Sequence, residues 1–116
     1  MSWRLFLDDV RDVDWIYPDE DPTSYVVCRS YQAAVASCTE HGCPSFVSFD
    51  HDLGHEKYTG YELAKQLVEN DIISGDKDSR REYKFSNDFD FYVHSQNPIG
   101  KANIEGLLNN YLKHKD

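Results

Sequence analysis

The sequence predicts an α/β fold: one parallel sheet of about four strands with helices on both faces. Three observations predict it. Four short apolar runs each stop abruptly at polar residues, amphipathic helical patterns separate them, and 116 residues suffice for one such layered unit but not for two. Strand, crossover and strand in this alternation close into a parallel sheet through right-handed connections, which sets helices on both of its faces. A single α/β domain over residues 1–116 is therefore expected.

The first run, residues 3–7, ends at Asp8-Asp9, and the second, residues 25–28, ends at Arg29-Ser30. Residues 46–49 lead into Asp50-His51-Asp52, and residues 89–93 into His94-Ser95. Short apolar segments bounded this way have the pattern of buried strands. After Ser30, the spacing of Tyr31, Ala34, Val35 and Cys38 predicts one face of a helix that stops at Gly42. Thr59 to Glu62 reads as a capping box before Leu63, Leu67, Val68 and Ile72. Asn97-Pro98 supplies a cap and a first-turn proline before a stripe of Ile104, Leu107, Leu108, Tyr111 and Leu112. Residues 12–24 and 74–88 have no periodicity and are expected to be loops. The second is expected to be the most mobile segment, with Arg80 and Arg81 able to fold over an anionic ligand.

A net charge of −9 argues against sequence-independent binding to duplex DNA, whose affinity comes from many Lys and Arg contacts to phosphates. A phosphate ligand would need local help, from a divalent cation held by carboxylates or from helix N-termini. Cys28, Cys38 and Cys43 are odd in number and form no CxxC pair, so buried thiols are expected rather than disulfides or a zinc site. No run reaches membrane-spanning length, and the first residues pass directly into a strand pattern. A cytoplasmic location fits these features, whereas the oligomeric state stays open.

In open α/β sheets the ligand crevice lies beyond the carboxyl ends of the strands. The reactive side chains of this chain sit there. Neighbouring strands are roughly 4.8 Å apart, so Asp8, Asp9, Asp50 and His94 converge if their strands are adjacent. Carboxylates that close repel one another and raise their own pKa values unless a cation joins them. A hard, oxygen-seeking cation meets that need, Mg²⁺ first and Mn²⁺ as the alternative.

LFLDD followed by FVSFDHDLG resembles the acidic pair and phospho-acceptor strand of bacterial response-regulator receiver domains, with Asp50 at the phosphorylated position. The chain is more similar still to the cyclic-phosphate-processing receiver-like family, through LFLDDVRD, SFDHDLG, TGYELAKQLV and VHSQNPIGKANI. This resemblance implies a three-layer, flavodoxin-like domain with strand order 2-1-3-4. It implies metal-dependent hydrolysis of a phosphate ester, a cyclic phosphate end or a cyclic nucleotide. Asp8, Asp9 and Asp50 would bind metal, and His51, Asp52, His94, Ser95 and Asn97 would complete the pocket, with Lys101 of the last motif among the ligand-binding residues. Ordinary receivers have a full first helix, a fifth strand and a lysine ending that strand, all of which this pattern lacks.

Three functions follow. In the first, a hydrolase, His51 and His94 act as general base and acid beside Asp50, Asp52 or Ser95 orients them, and Arg29 grips a phosphate oxygen. Its ligand is a small phosphorylated molecule or an RNA cyclic-phosphate terminus. The second is a module that sequesters a cyclic nucleotide uncleaved, with Tyr17 or Tyr58 stacking on the base. The third is a degenerate receiver used for protein contacts.

Overall fold

The computed structural model describes residues 3–54, 57–74, 84–86 and 88–114. Strands β1 (Arg4–Leu7), β2 (Val26–Cys28), β3 (Phe46–Phe49) and β4 (Asp90–Val93) form one parallel sheet in the order β2-β1-β3-β4. That is the expected order.

Helix α1 (Val13–Ile16) and a 3₁₀ turn (Pro22–Ser24) lie between β1 and β2; α2 (Tyr31–His41), α3 (Gly60–Ser74) and α4 (Pro98–His114) follow β2, β3 and β4. The caps act as their residue types demand. Ser30 Oγ accepts from the Ala33 amide at 3.1 Å, Asn97 Oδ1 accepts from the Gly100 amide at 3.0 Å, and Gly42 ends α2 at φ 84°.

Alternate residues of each strand face opposite ways, and the two faces are covered unequally. Leu5, Leu7, Val47, Phe49 and Val93 pack against Ala34 and Cys38 of α2, Leu63, Ala64 and Leu67 of α3, and Ile104 and Leu108 of α4. On the other face Phe6 meets Val13 and Tyr25, flanked by Ile16, Tyr17 and Phe46. Helices thus occupy both faces, but three long ones share one face and a four-residue helix serves the other.

The stretch 12–24, expected to be irregular, contains that helix and the 3₁₀ turn. Val13 is buried against the sheet, which fixes the helix, and Asp21 Oδ1 accepts from the Thr23 amide ahead of Pro22, which starts the turn. Arg80 and Arg81 of the second aperiodic stretch lie outside the described residues. Just after them Phe85 is buried, and its amide donates to Asp71 Oδ1 at 2.9 Å. Among the described residues no helix is long and apolar enough to cross a membrane. Cys28 and Cys38 are buried free thiols, and Cys43 is half-buried.

Candidate functional site

Three residues stay in the backbone ladder one position past their strands. The Asp8 amide donates to the Cys28 carbonyl (3.1 Å), the Asp50 amide to the Leu7 carbonyl (2.9 Å), and the His94 amide to the Phe49 carbonyl (2.9 Å). The sheet therefore holds Asp8, Asp50 and His94 side by side at its carboxyl edge. With Asp9, the two aspartates bring carboxylate oxygens within 4.8 Å of one another.

Every acceptor position of Asp8 is taken. Its Oδ1 accepts from the amides of Val10 (2.9 Å) and Arg11 (2.8 Å); its Oδ2 accepts from Arg11 Nε (2.8 Å) and His94 Nε2 (3.0 Å). Burial alone would raise the pKa of Asp8, but these bonds and the Arg11 charge together lower it. Asp8 is thus an ionised anchor.

His94 is the buried centre of a hydrogen-bonded chain. Its ring stacks on Phe6 at 4.8 Å and its side chain is 1% exposed. Nδ1 lies 2.7 Å from Ser48 Oγ, which lies 2.8 Å from the Tyr17 hydroxyl. Burial lowers the His94 pKa, against the opposing pull of Asp8, so the ring is neutral. Donor counting then sets the direction. Nε2–H donates to Asp8, Nδ1 accepts from the Ser48 hydroxyl, and the Tyr17 hydroxyl donates to Ser48.

Asp50 is the strained member of the group. Burial first, then the charges of Asp8 and Asp9, push its pKa up to about 6 against the pull of Arg11 and a Ser95 hydrogen bond. Arg11 Nη2 stands 3.7 Å from Asp50 Oδ1, so one guanidinium spans Asp8 and Asp50.

His51 is held at the rim. Its ring lies against Gly100, where a Cβ would fall 2.3 Å from His51 Cγ, so only glycine lets α4 approach this closely. His51 Nδ1 is 3.0 Å from Asp52 Oδ1, and Asn97 Nδ2 donates to both Asp52 oxygens at 3.3 Å. A Cβ on Gly60 would fall 1.9 Å from the Asp50 carbonyl oxygen, so α3 too begins hard against the acidic strand end.

The expected site residues thus form two groups. Asp8, Asp9, Asp50, His94 and Ser95 meet at the sheet edge, and His51, Asp52 and Asn97 meet at the start of α4. Arg29 is engaged elsewhere: it pairs with Asp12 and donates to the carbonyl of Arg11 at 2.6 Å, stapling the segment after β1. Lys101 Nζ lies 5.5 Å from the centre of the Tyr92 ring. Tyr17 stacks on Tyr25 and Tyr58 on Tyr31. The structure adds Arg11 and Ser48, neither of which was singled out from the sequence. An arginine three residues after a strand-end aspartate, and a lone serine at the middle of FVSF, were the signals available.

A family model described as the cyclic-phosphate processing receiver domain matches residues 3–110. Neither a curated protein nor a solved structure matches the chain significantly.

Proposed function

The chain belongs to the cyclic-phosphate processing receiver domain family, and from that premise we propose that it hydrolyses a cyclic phosphate, either a small phosphorylated ligand or an RNA terminus, with a divalent metal. The observation that carries this reading is the convergence of Asp8, Asp9 and Asp50 within 4.8 Å, with Asp50 pushed up to about 6 by its neighbours.

An all-carboxylate donor set whose repulsion Arg11 relieves only in part suits a hard cation such as Mg²⁺, or Mn²⁺ in its place. Asp9, Asp50 and Asp8 would hold it, and when bound it supplies polarisation of a phosphoryl oxygen. The chain's own residues do the rest. His94, with both ring nitrogens engaged, holds Asp8 in place. His51, oriented by Asp52 through Nδ1, would use its other nitrogen to take a proton from water and return it to the leaving oxygen. Asn97 fixes Asp52 while capping α4. Ser95 steadies Asp50. Arg29 and Lys101 contact the ligand only by leaving Asp12 and Tyr92.

Turnover of a panel of cyclic phosphates with Mg²⁺ or Mn²⁺ tests this. His51→Ala is expected to cut the rate by about a hundredfold or more while the fold survives, the usual loss of a proton-transfer group. Wild-type turnover in that variant would reject the assignment.

One observation favours a second reading, capture without cleavage. His94 is buried with both nitrogens engaged, which leaves one histidine at the rim where acid and base chemistry by the pair needs two. Binding of a cyclic phosphate with no turnover under any metal would select it.

A further inference from the structure

We propose that Arg11 is a displaceable counter-ion, which offsets part of the charge of the acidic cluster before metal binds and turns to a phosphoryl oxygen afterwards, so that metal and anion bind cooperatively. This rests on the metal site proposed above.

The argument starts from the occupancy of Asp8. All four of its acceptor positions are filled, so a cation that bonds directly to Asp8 must displace one donor. Two of the four are backbone amides fixed by the turn after β1. The third, from His94, belongs to a ring that is 1% exposed and anchored on its other side by Ser48. The fourth comes from the Arg11 side chain, which is 20% exposed and carries further donors in its fork. Arg11 is the donor that yields.

Its main chain does not need to move. Arg29 holds the carbonyls of Arg11 and Asp8, at 2.6 and 3.4 Å, so the side chain swings from a fixed base. Electrostatics reinforces the exchange. Three carboxylates against one guanidinium leave the cluster two charges negative, which repels a phosphate. A divalent cation cancels that excess and frees a planar, bidentate donor beside the position where an anion would rest. Binding of either partner then favours the other, as linkage requires.

Calorimetric titration of the full chain with Mn²⁺, alone and with inorganic phosphate, tests the role. In wild type, phosphate is expected to tighten Mn²⁺ binding roughly fivefold or more. Arg11→Gln is expected to bind Mn²⁺ alone roughly tenfold more tightly, because no internal cation competes, and to lose the phosphate effect. Unchanged or weaker Mn²⁺ affinity in that variant, or a phosphate effect that persists, overturns the role of Arg11 and leaves the metal site standing. If wild type and variant both fail to bind Mn²⁺, the metal reading itself is overturned and this inference with it. Should Arg11→Gln fail to fold, Arg11→Lys carries the test. It keeps the charge but lacks the fork, so its phosphate effect is expected to shrink, and an undiminished effect overturns the proposal.

Discussion

On one face of the sheet Leu5, Leu7, Val47, Phe49 and Val93 meet three helices through apolar contacts; on the other, Phe6 and Phe46 share the surface with Ser48 and His94 beneath four residues of helix. The same strands make both faces, because successive side chains alternate. The helical face is therefore where burial accumulates. The opposite face carries a polar chain, from Tyr17 through Ser48 and His94 to Asp8, that ends in the acidic cluster. Stability and site positioning are separated by a single residue of register. Substitutions on the two faces should differ in kind as well as in size.

The largest effect belongs to the helical face. Leu63 is fully buried against the sheet, and Leu63→Ala is expected to cost about 2–5 kcal/mol in urea unfolding. Any Mn²⁺-induced rise in melting temperature should survive in the fraction that still folds. Loss of that rise would mean that the helical face also sets the site.

The next effect comes from Asp50 in the metal-free protein. Its pKa is about 6 in the fold against 3.8 as the unperturbed value, so the folded state holds this proton more tightly than the unfolded state does. Stability from this group is accordingly lost as pH rises from about 4 through about 6 and levels off above, by up to about 3 kcal/mol. Asp50→Asn, unfolded by denaturant in chelator across that range, should lack this slope and exceed wild type at neutral pH. Parallel curves for the two proteins would show that Asp50 is not strained by its neighbours.

A smaller loss is expected on the polar face. Ser48→Ala leaves the buried His94 Nδ1 without its donor, at a cost of about 1–3 kcal/mol. The His94 ring is then free to change tautomer and release Asp8, so the variant should also weaken the Mn²⁺ response, unlike Leu63→Ala. A destabilised Ser48→Ala with full metal response would make the polar chain purely structural.

The unequal legibility of the two faces follows the same division. Strand positions and the caps at Ser30, Gly42 and Asn97 depend on local patterning, which the sequence showed, whereas the strand order came from the resemblance to receiver-like domains. Convergence of Asp8, Asp9 and Asp50 followed from strand ends in an ordered sheet. What crosses between elements was not visible. Arg11 reads as a surface cation until the turn after β1 points it back at Asp8 and Asp50. Ser48 reads as one polar residue in an apolar strand until the register sets it opposite Phe6 and beside His94. Arg29 reads as a ligand donor because its partner Asp12 sits in a stretch without periodicity, and its bond there depends on how that crossover returns to the sheet. Side-chain direction in a crossover is set by packing, which residue spacing does not encode.

The smallest effect gives the sharpest test of the polar chain, because it probes its direction. Tyr17 stands at the far end, its hydroxyl 2.8 Å from Ser48 Oγ, with burial raising its pKa. If the Tyr17 hydroxyl donates to Ser48 and Ser48 donates to His94, then Tyr17→Phe removes one donor from a serine that still completes its own bond to Nδ1. The loss should be that of one ordinary hydrogen bond, about 0.5–1.5 kcal/mol. His94 keeps its tautomer, Asp8 keeps its donor, and the Mn²⁺ response should match wild type. With the opposite direction, Ser48 would donate to Tyr17 and His94 would carry its proton on Nδ1, which sets the bare Nε2 against the Asp8 carboxylate. Two acceptors 3.0 Å apart repel, so that arrangement requires a charged ring, which burial disfavours. A Tyr17→Phe variant that loses as much stability as Ser48→Ala, together with its metal response, would show that the chain runs that way after all.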